Sequence, residues 1–282
     1  MGGYTRGRGD MRTTIVIGLG EVGGPLYEIL KASNTYMVYG YDVRSEISPN
    51  KLDELPRDAD FLHIAYPYTE HFIQYTIRYV EQLRPKRLII HSTVLPGTTR
   101  IIHEKTGLPT AYSPVRGKHP YLKRHMMFWP KWVSSYPLED TEVFAEHLVK
   151  AGFKVKTARN PETLELAKLF ETAYRAVMIA TWQELHRLSL KYDAELAGIA
   201  EFIAEVHEVL RDRPVFYPDY IGGHCLIPNT KLLDSIDPNS IWRFVIESNE
   251  RRLSELGAEK VKRDLDEVKK ISSRLFPAWY FE

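Results

Sequence analysis

Ile15-Val16-Ile17-Gly18-Leu19-Gly20-Glu21-Val22-Gly23 is a β-branched run that breaks into three glycines spaced as GxGxxG. Thr13 to Ile17 reads as a strand, and the residues after the glycines form an amphipathic stretch reaching about Ala32. In such a turn the first glycine permits the sharp reversal and the second lets a pyrophosphate approach the backbone. The third lets strand and helix pack closely, with the helix N-terminus turned toward the phosphates. Met37 to Tyr41 reads as a second strand. It ends at Asp42, 19 residues after Gly23, where a carboxylate meets a ribose 2′-hydroxyl. Strand, glycines, helix and acid in register describe a dinucleotide-binding turn.

Asp42 repels a 2′-phosphate, so NAD is favoured over NADP, and Arg44 two residues on softens that preference. The cofactor-binding candidates are Gly18, Leu19, Gly20, Glu21, Val22, Gly23, Asp42, Val43 and Arg44, joined by Tyr66, Pro67, Ser92 and Thr93. The pattern Tyr66-Pro67-Tyr68 matches a turn near the cofactor, with Tyr66 packing either on adenine or ribose or in the core. The same turn also suits S-adenosylmethionine or a flavin nucleotide.

Working outward, Asp60 to Ala65 and Arg87 to His91 read as buried strands around a helical pattern from Glu70 to Leu83. Thr110 to Tyr112, Lys131 to Ser135 and Phe153 to Thr157 add further strands. Alternating strands and helices predict a parallel sheet with crossover helices. The texture changes at Asn160, which caps a helix whose first residues are Pro161 and Glu162. Leu166, Phe170, Ala173, Val177 and Ala180 recur at steps of four and three, the stripe of a helix running to about Lys191. A helix from Ala194 to Leu210, a loop from Asp212 to Pro228, and helices over Ser240 to Leu256 and Ala258 to Leu275 follow. The expected fold class is α/β, with an N-terminal Rossmann parallel sheet followed by a mostly helical domain with a long connecting helix. The domains expected are a flexible extension over 1–11, a Rossmann dinucleotide-binding domain over 12–160 and a helical central or dimerisation domain over 161–282.

The 282 residues carry 38 Lys and Arg against 37 Asp and Glu, a balance that asks for no nucleic acid and no anionic membrane. No run of eighteen apolar residues is present, so no membrane span is expected, and the first ten residues lack the apolar stretch of a secretory signal. One cysteine, Cys225, excludes an intrachain disulfide and a multi-cysteine zinc site and fits a reducing, cytoplasmic setting. His63, His91 and His224 lie near strand ends or the cysteine loop without the i, i+4 spacing of a zinc pair, so no metal is expected.

Cys225 sits in Ile221-Gly222-Gly223-His224-Cys225-Leu226-Ile227-Pro228, where two glycines leave the thiol unobstructed. A lone cysteine is otherwise a small buried hydrophobe. With this block the chain resembles the UDP-glucose/GDP-mannose dehydrogenase family from about Arg12 to Leu233. The other blocks are Gly18 to Gly23, then Ser92-Thr93-Val94-Leu95-Pro96-Gly97-Thr98-Thr99, then Glu165-Leu166-Ala167-Lys168 with Arg175 and Glu184 in the same helix.

The resemblance implies oxidation of a nucleotide-sugar alcohol to a carboxylate with two NAD. Cys225 would be the nucleophile and Lys168 the cation beside the developing oxyanion, with Thr93 near the nicotinamide. Read by itself, Lys168 is a solvated helix lysine, although Thr172 and Arg175 share its face. The long helix from Pro161 is the family's dimer element, so a homodimer is expected.

Three positions depart from the family. Thr172 replaces an asparagine, Asn229 an aspartate and Val115 a glutamate, all groups that support oxyanion stabilisation and thioester hydrolysis. Thr172 and Asn229 nevertheless stay among the catalytic candidates with Cys225, Lys168 and Thr93. The family's second Rossmann-like domain has no counterpart before Glu282, so a truncated, divergent member acting on a smaller anionic substrate is expected. The run Arg116-Gly117-Lys118-His119-Pro120-Tyr121-Leu122-Lys123-Arg124-His125 is either a solvated loop or an anion-binding one. Substrate-binding candidates are Arg116, Lys118, His119, Arg175, Gly222 and His224. The first reading is an NAD-dependent oxidoreductase on such a small-molecule substrate. The others are a dinucleotide-binding protein without catalysis, and a Rossmann enzyme using another adenosine cofactor.

Overall fold

The computed structural model describes residues 11–277 and Trp279. The extension expected over 1–11 lies, but for Met11, outside them. The chain forms two compact units that divide between Lys168 and Leu169.

The first unit is built on seven strands: β1 (Arg12–Ile17), β2 (Tyr36–Tyr41), β3 (Phe61–Ile64), β4 (Leu88–Ile90), β5 (Thr110–Tyr112), β6 (Lys131–Tyr136) and β7 (Val155–Thr157). They form one sheet in the order β2-β1-β3-β4-β5-β6-β7. The switch between β2 and β3, on either side of β1, is where an open α/β sheet opens a crevice at its carboxyl edge. β3 and β4 are buried throughout, as expected of short apolar runs with both faces covered. The helices are α1 (Gly23–Ala32), α2 (Phe72–Leu83), α3 (Thr98–Thr106), α4 (Leu122–Phe128) and α5 (Thr141–Lys150). One core gathers Val16, Leu26, Leu30, Phe61, Ile89 and Phe144, the other Ile15, Ile17, Leu62, Ile64, Phe72 and Tyr112.

Two expectations are corrected here. The sheet is not wholly parallel, because β6 runs antiparallel to β5, pairing Ala111 with Ser135. Only the short α4 lies between them, and the chain returns along the edge instead of crossing over. The helices α3, α4 and α5 were not legible as such. α3 opens on Thr98, Thr99, Ile101 and Ile102, a β-branched run of poor helix formers, and glycines in positive φ, Gly97 at 87° and Gly107 at 66°, bound it.

The long helix α6 (Pro161–Lys191) begins in the first unit. Asn160 caps it as expected, its Oδ1 accepting from the Thr163 backbone N at 3.0 Å. Its first two turns belong with the sheet because Leu164 lies in the second core. In the second unit, α7 (Leu196–Leu210), α8 (Leu226–Ile236), α9 (Ser240–Glu255) and α10 (Glu259–Arg274) complete the fold.

The stripe read along α6 holds at Ala173 and Ala180 and fails at Leu166 and Phe170. Leu166 and Phe170 are 46% and 53% exposed, whereas Leu169, Ala173, Ala176 and Ala180 are fully buried. The alanines lie against Leu233, Ile221 and Val245, where small side chains let neighbouring helices approach. The expected loop to Pro228 is also shorter than read. α8 already begins at Leu226, and Pro228 is tolerated in its first turn, where no N–H is required.

Candidate cofactor site and cysteine loop

The glycine turn has the geometry that its spacing demands. Gly18 has φ of 87°, and a Cβ there would stand 2.7 Å from the Tyr66 backbone N. A Cβ at Gly23 would fall 1.7 Å from the Gly18 carbonyl oxygen. Helix and strand therefore meet as closely as glycine alone permits. Gly20 differs, since a Cβ there meets only the Arg44 guanidinium, at 3.4 Å. Its glycine is dispensable to the protein's own packing and leaves the backbone open to a ligand.

Asp42 ends β2 and is buried. Its Oδ2 accepts from the Leu19 backbone N at 2.7 Å, fastening the turn to the second strand. Its Oδ1 accepts from the Arg44 backbone N at 2.9 Å and from Arg44 Nε at 3.1 Å. Burial by itself raises the carboxyl, but the Arg44 and Leu19 hydrogen bonds outweigh it and hold Asp42 below the usual carboxylate range.

Beside Gly18 and Asp42 lies a cavity of about 270 Å³. Ile17, Val43 and Pro67 line it with four tyrosines, Tyr41, Tyr66, Tyr75 and Tyr79. Tyr66 is fixed by a 2.6 Å hydrogen bond between its hydroxyl and Thr76 Oγ1. Ser92 holds the same segment by donating to the Tyr66 carbonyl at 2.6 Å. Tyr66 and Pro67 were singled out in the sequence; Tyr41, Tyr75 and Tyr79 were not. The i, i+4 repeat of tyrosine in α2 was the available signal. An apolar, aromatic-walled space next to a phosphate-type turn fits a nucleobase and ribose. Val43 is 80% exposed at its rim.

A second contact joins two of the motif blocks. Glu165 is buried and accepts from the Gly97 N at 2.7 Å, the Thr99 N at 2.9 Å and Thr99 Oγ1 at 2.7 Å. It thereby satisfies the orphan N–H groups at the start of α3, a capping role supplied by a residue 66 positions away. Burial raises the Glu165 carboxyl despite those donors. Lys168 follows within one turn and is half-buried. Thr93, in the segment before α3, is likewise half-buried.

In the second unit Cys225 is exposed at the N-cap position of α8. Gly222 and Gly223 are exposed, and Gly223 has φ of 81°, so the loop keeps the approach to the thiol open. His224 is exposed as well. One turn into α8, buried Asn229 donates its Nδ2 to Thr172 Oγ1 at 2.8 Å. Thr172 in turn donates to the Leu169 carbonyl at 3.0 Å. Arg175 stacks on Phe216, 5.6 Å from the ring centre.

The basic run after β5 resolves into different parts. Val115 is buried in the first core and presents no titratable group. Arg116 is tied to its own loop, donating to the Pro130 carbonyl at 2.6 Å and lying 5.2 Å over the Trp129 ring. Lys118 and His119 are exposed. Lys131, unmarked in the sequence, is buried and donates to the Ser113 carbonyl at 2.8 Å. Burial pushes it down to about 7, with the charges of Arg116 and Lys168 adding.

His63 and His91, expected near strand ends, have a partner that the sequence reading did not name. They belong to a buried row with His147, with His63 Nδ1 2.8 Å from His91 Nε2 and His63 Nε2 3.0 Å from His147 Nε2. His91 Nδ1 faces the Ser113 carbonyl at 2.7 Å and therefore carries the proton. Each successive ring then accepts on one nitrogen and donates from the other. The row ends at His147 Nδ1, a buried acceptor without a partner among the described residues. Burial lowers His63 to about 3, with the Lys131 charge contributing, and holds His91 and His147 well below the ordinary value. The rings run in line and do not converge, and among the described residues no group of three or more His, Cys, Asp or Glu is gathered for a metal ion. Among the same residues no helix is long and apolar enough to cross a membrane.

Comparison with known proteins agrees with this geometry. A curated relative, the UDP-N-acetyl-D-mannosamine dehydrogenase of Pyrococcus horikoshii, is 26% identical over 268 residues, covering 77% of this chain and 63% of its own. The chain thus spans less than two thirds of that relative. A solved structure of the UDP-D-ManNAc dehydrogenase of that organism superposes with a TM-score of 0.73 at 23% identity, covering 85% of this chain and 68% of the other. A 3-hydroxyisobutyrate dehydrogenase of Mycobacterium tuberculosis shares the fold with a TM-score of 0.63 at 18% identity, covering 93% and 99%. Residues 162–251 match the central domain of the UDP-glucose/GDP-mannose dehydrogenase family. The chain is thus similar in fold to a nucleotide-sugar dehydrogenase and, over residues 162–251, in sequence to the central domain of the UDP-glucose/GDP-mannose dehydrogenase family.

Proposed function

We propose that the protein is an NAD-dependent oxidoreductase acting on a small anionic substrate by a single two-electron transfer. The observation that carries the cofactor is the turn of Gly18, Gly20 and Gly23 pinned by Asp42 beside the tyrosine-walled cavity. The open face at Gly20 and the N-terminus of α1 suit a diphosphate, Asp42 a ribose hydroxyl, and the tyrosines a base. NAD, when bound, supplies the hydride acceptor or donor.

The groups at the reaction centre follow from the resemblance, with Lys168 and Thr93 in the positions of cation and nicotinamide-end hydroxyl and Cys225 in that of the family's nucleophile, which a single hydride transfer leaves beside the substrate with no bond to it. Cys225 is sterically accessible. The limit to two electrons follows from its neighbours. Thioester hydrolysis needs a base to activate water, and the buried Asn229–Thr172 pair is neutral and engaged with itself. Lys118, exposed after β5, offers charge, and His119 a ring nitrogen, to an anionic group of the substrate. The exposed stripe of Leu166, Phe170 and Tyr174 on α6 supports a homodimer through that helix.

The test is a stoichiometric one. Purified protein is incubated with NAD and candidate alcohols, both nucleotide sugars and small hydroxy acids, and NADH is counted per product. One NADH per aldehyde or ketone supports the reading. Two NADH per carboxylate overturns the two-electron limit. Binding of NAD without turnover of any alcohol, together with full activity-independent alkylation of Cys225, favours a binding protein without catalysis.

A further inference from the structure

We propose that Arg44 is the specificity-determining residue of the cofactor site and that it lets the turn accept NADP as well as NAD. This rests on the reading that the glycine turn holds a nicotinamide dinucleotide.

The acid at the end of β2 discriminates because its charge meets a ribose hydroxyl well and a 2′-phosphate badly. At Asp42 that charge is already matched. Oδ1 takes two hydrogen bonds from Arg44, backbone N at 2.9 Å and Nε at 3.1 Å, and the Arg44 NH2 group lies 3.5 Å from Oδ2. Oδ2 also accepts from Leu19 N at 2.7 Å. A carboxylate offers about four lone-pair directions, so this one has little left for two ribose hydroxyls while the guanidinium stays.

Two further facts give the guanidinium a role beyond neutralisation. Its NH2 end stands 3.4 Å from where a Cβ on Gly20 would be, over the open part of the phosphate turn. The side chain is 55% exposed while Asp42 is 7% exposed. The acid is fixed and the base is able to move. An arginine held by its backbone N–H, with a mobile planar donor fork, is the group suited to a phosphate. The Asp42–Arg44 pair thus presents a net charge near zero to the 2′-position and removes the ordinary penalty against NADP.

The test is calorimetric titration of the full chain with NAD and with NADP, for wild type, Arg44→Ala and Arg44→Gln, with melting temperatures to verify folding. The expected result is a wild-type NADP to NAD Kd ratio within about tenfold, rising at least tenfold further in both variants. A larger wild-type ratio, or a ratio that the variants leave unmoved, overturns the role of Arg44 while leaving NAD binding intact. If wild type binds neither dinucleotide, the cofactor reading itself falls.

Discussion

Asn229 donates its side-chain amide to the Thr172 hydroxyl at 2.8 Å, so two of the candidate site residues, one on α8 and one on α6, are in direct contact. Both residues are buried, and Thr172 passes the chain of bonds on to the Leu169 carbonyl. The amide and the hydroxyl satisfy each other and act as one neutral pair. A double-mutant cycle of Thr172→Ala and Asn229→Ala, read by denaturant unfolding, is expected to give a coupling of about 1 kcal/mol. Additive losses would show that the pair is not a unit.

The buried histidine row makes the first unit acid-labile. His63, His91 and His147 are all depressed below the unfolded value, chiefly by burial. Stability from such groups is complete above about pH 6.5 and falls as pH drops toward the folded values, because the unfolded chain takes up protons that the folded one refuses. With three rings the slope below pH 6 approaches ~4 kcal/mol per pH unit. Urea unfolding at pH 7.5, 6.0 and 5.0 measures it. A flat profile over that range contradicts the row of neutral imidazoles.

Glu165 closes the start of α3 from a distant point in the chain. Its glutamine variant keeps the size but offers one acceptor oxygen where three donors converge. A loss of about 1–3 kcal/mol in stability is expected. An unchanged unfolding midpoint would show that the Gly97–Thr99 N–H groups are satisfied without it.

How far the sequence carried this is visible in particular residues. Gly18, Gly23 and Asp42 were legible because each is required by a local backbone shape, and the turn formed as read. Asn160 was legible as a cap for the same reason. Glu165, His147 and Lys131 were not, since their partners lie 66, 84 and 18 residues away and no local period marks them. On α6 the stripe is right at Ala173 and Ala180 and wrong at Leu166 and Phe170, because Leu and Phe outrank Ala in apolarity while close packing selects the alanines.

Cys225 is exposed and is the sole cysteine, so a thiol titration of the native protein reads one group. Complete native labelling is expected, and both labelling and Cys225→Ala lower turnover, because the resemblance puts the thiol at the reaction centre. Turnover that survives both alkylation and the variant removes the thiol from the reaction.

The apolar stripe on α6 predicts that Phe170→Glu with Tyr174→Glu shifts a dimer to monomer in light scattering, with the fold retained. Wild-type protein that is already monomeric at tens of micromolar contradicts the dimer.

The central claim, a nicotinamide dinucleotide on the Gly18–Gly23 turn, is tested most directly by calorimetric titration of the full chain with NAD and, separately, S-adenosylmethionine. Gly23→Val serves as control, since any Cβ at that position collides with the Gly18 carbonyl. The account predicts saturable binding of one NAD per chain, lost in the variant, and no binding of S-adenosylmethionine. Binding of S-adenosylmethionine in place of NAD, or NAD binding that the variant leaves intact in a folded protein, would contradict it.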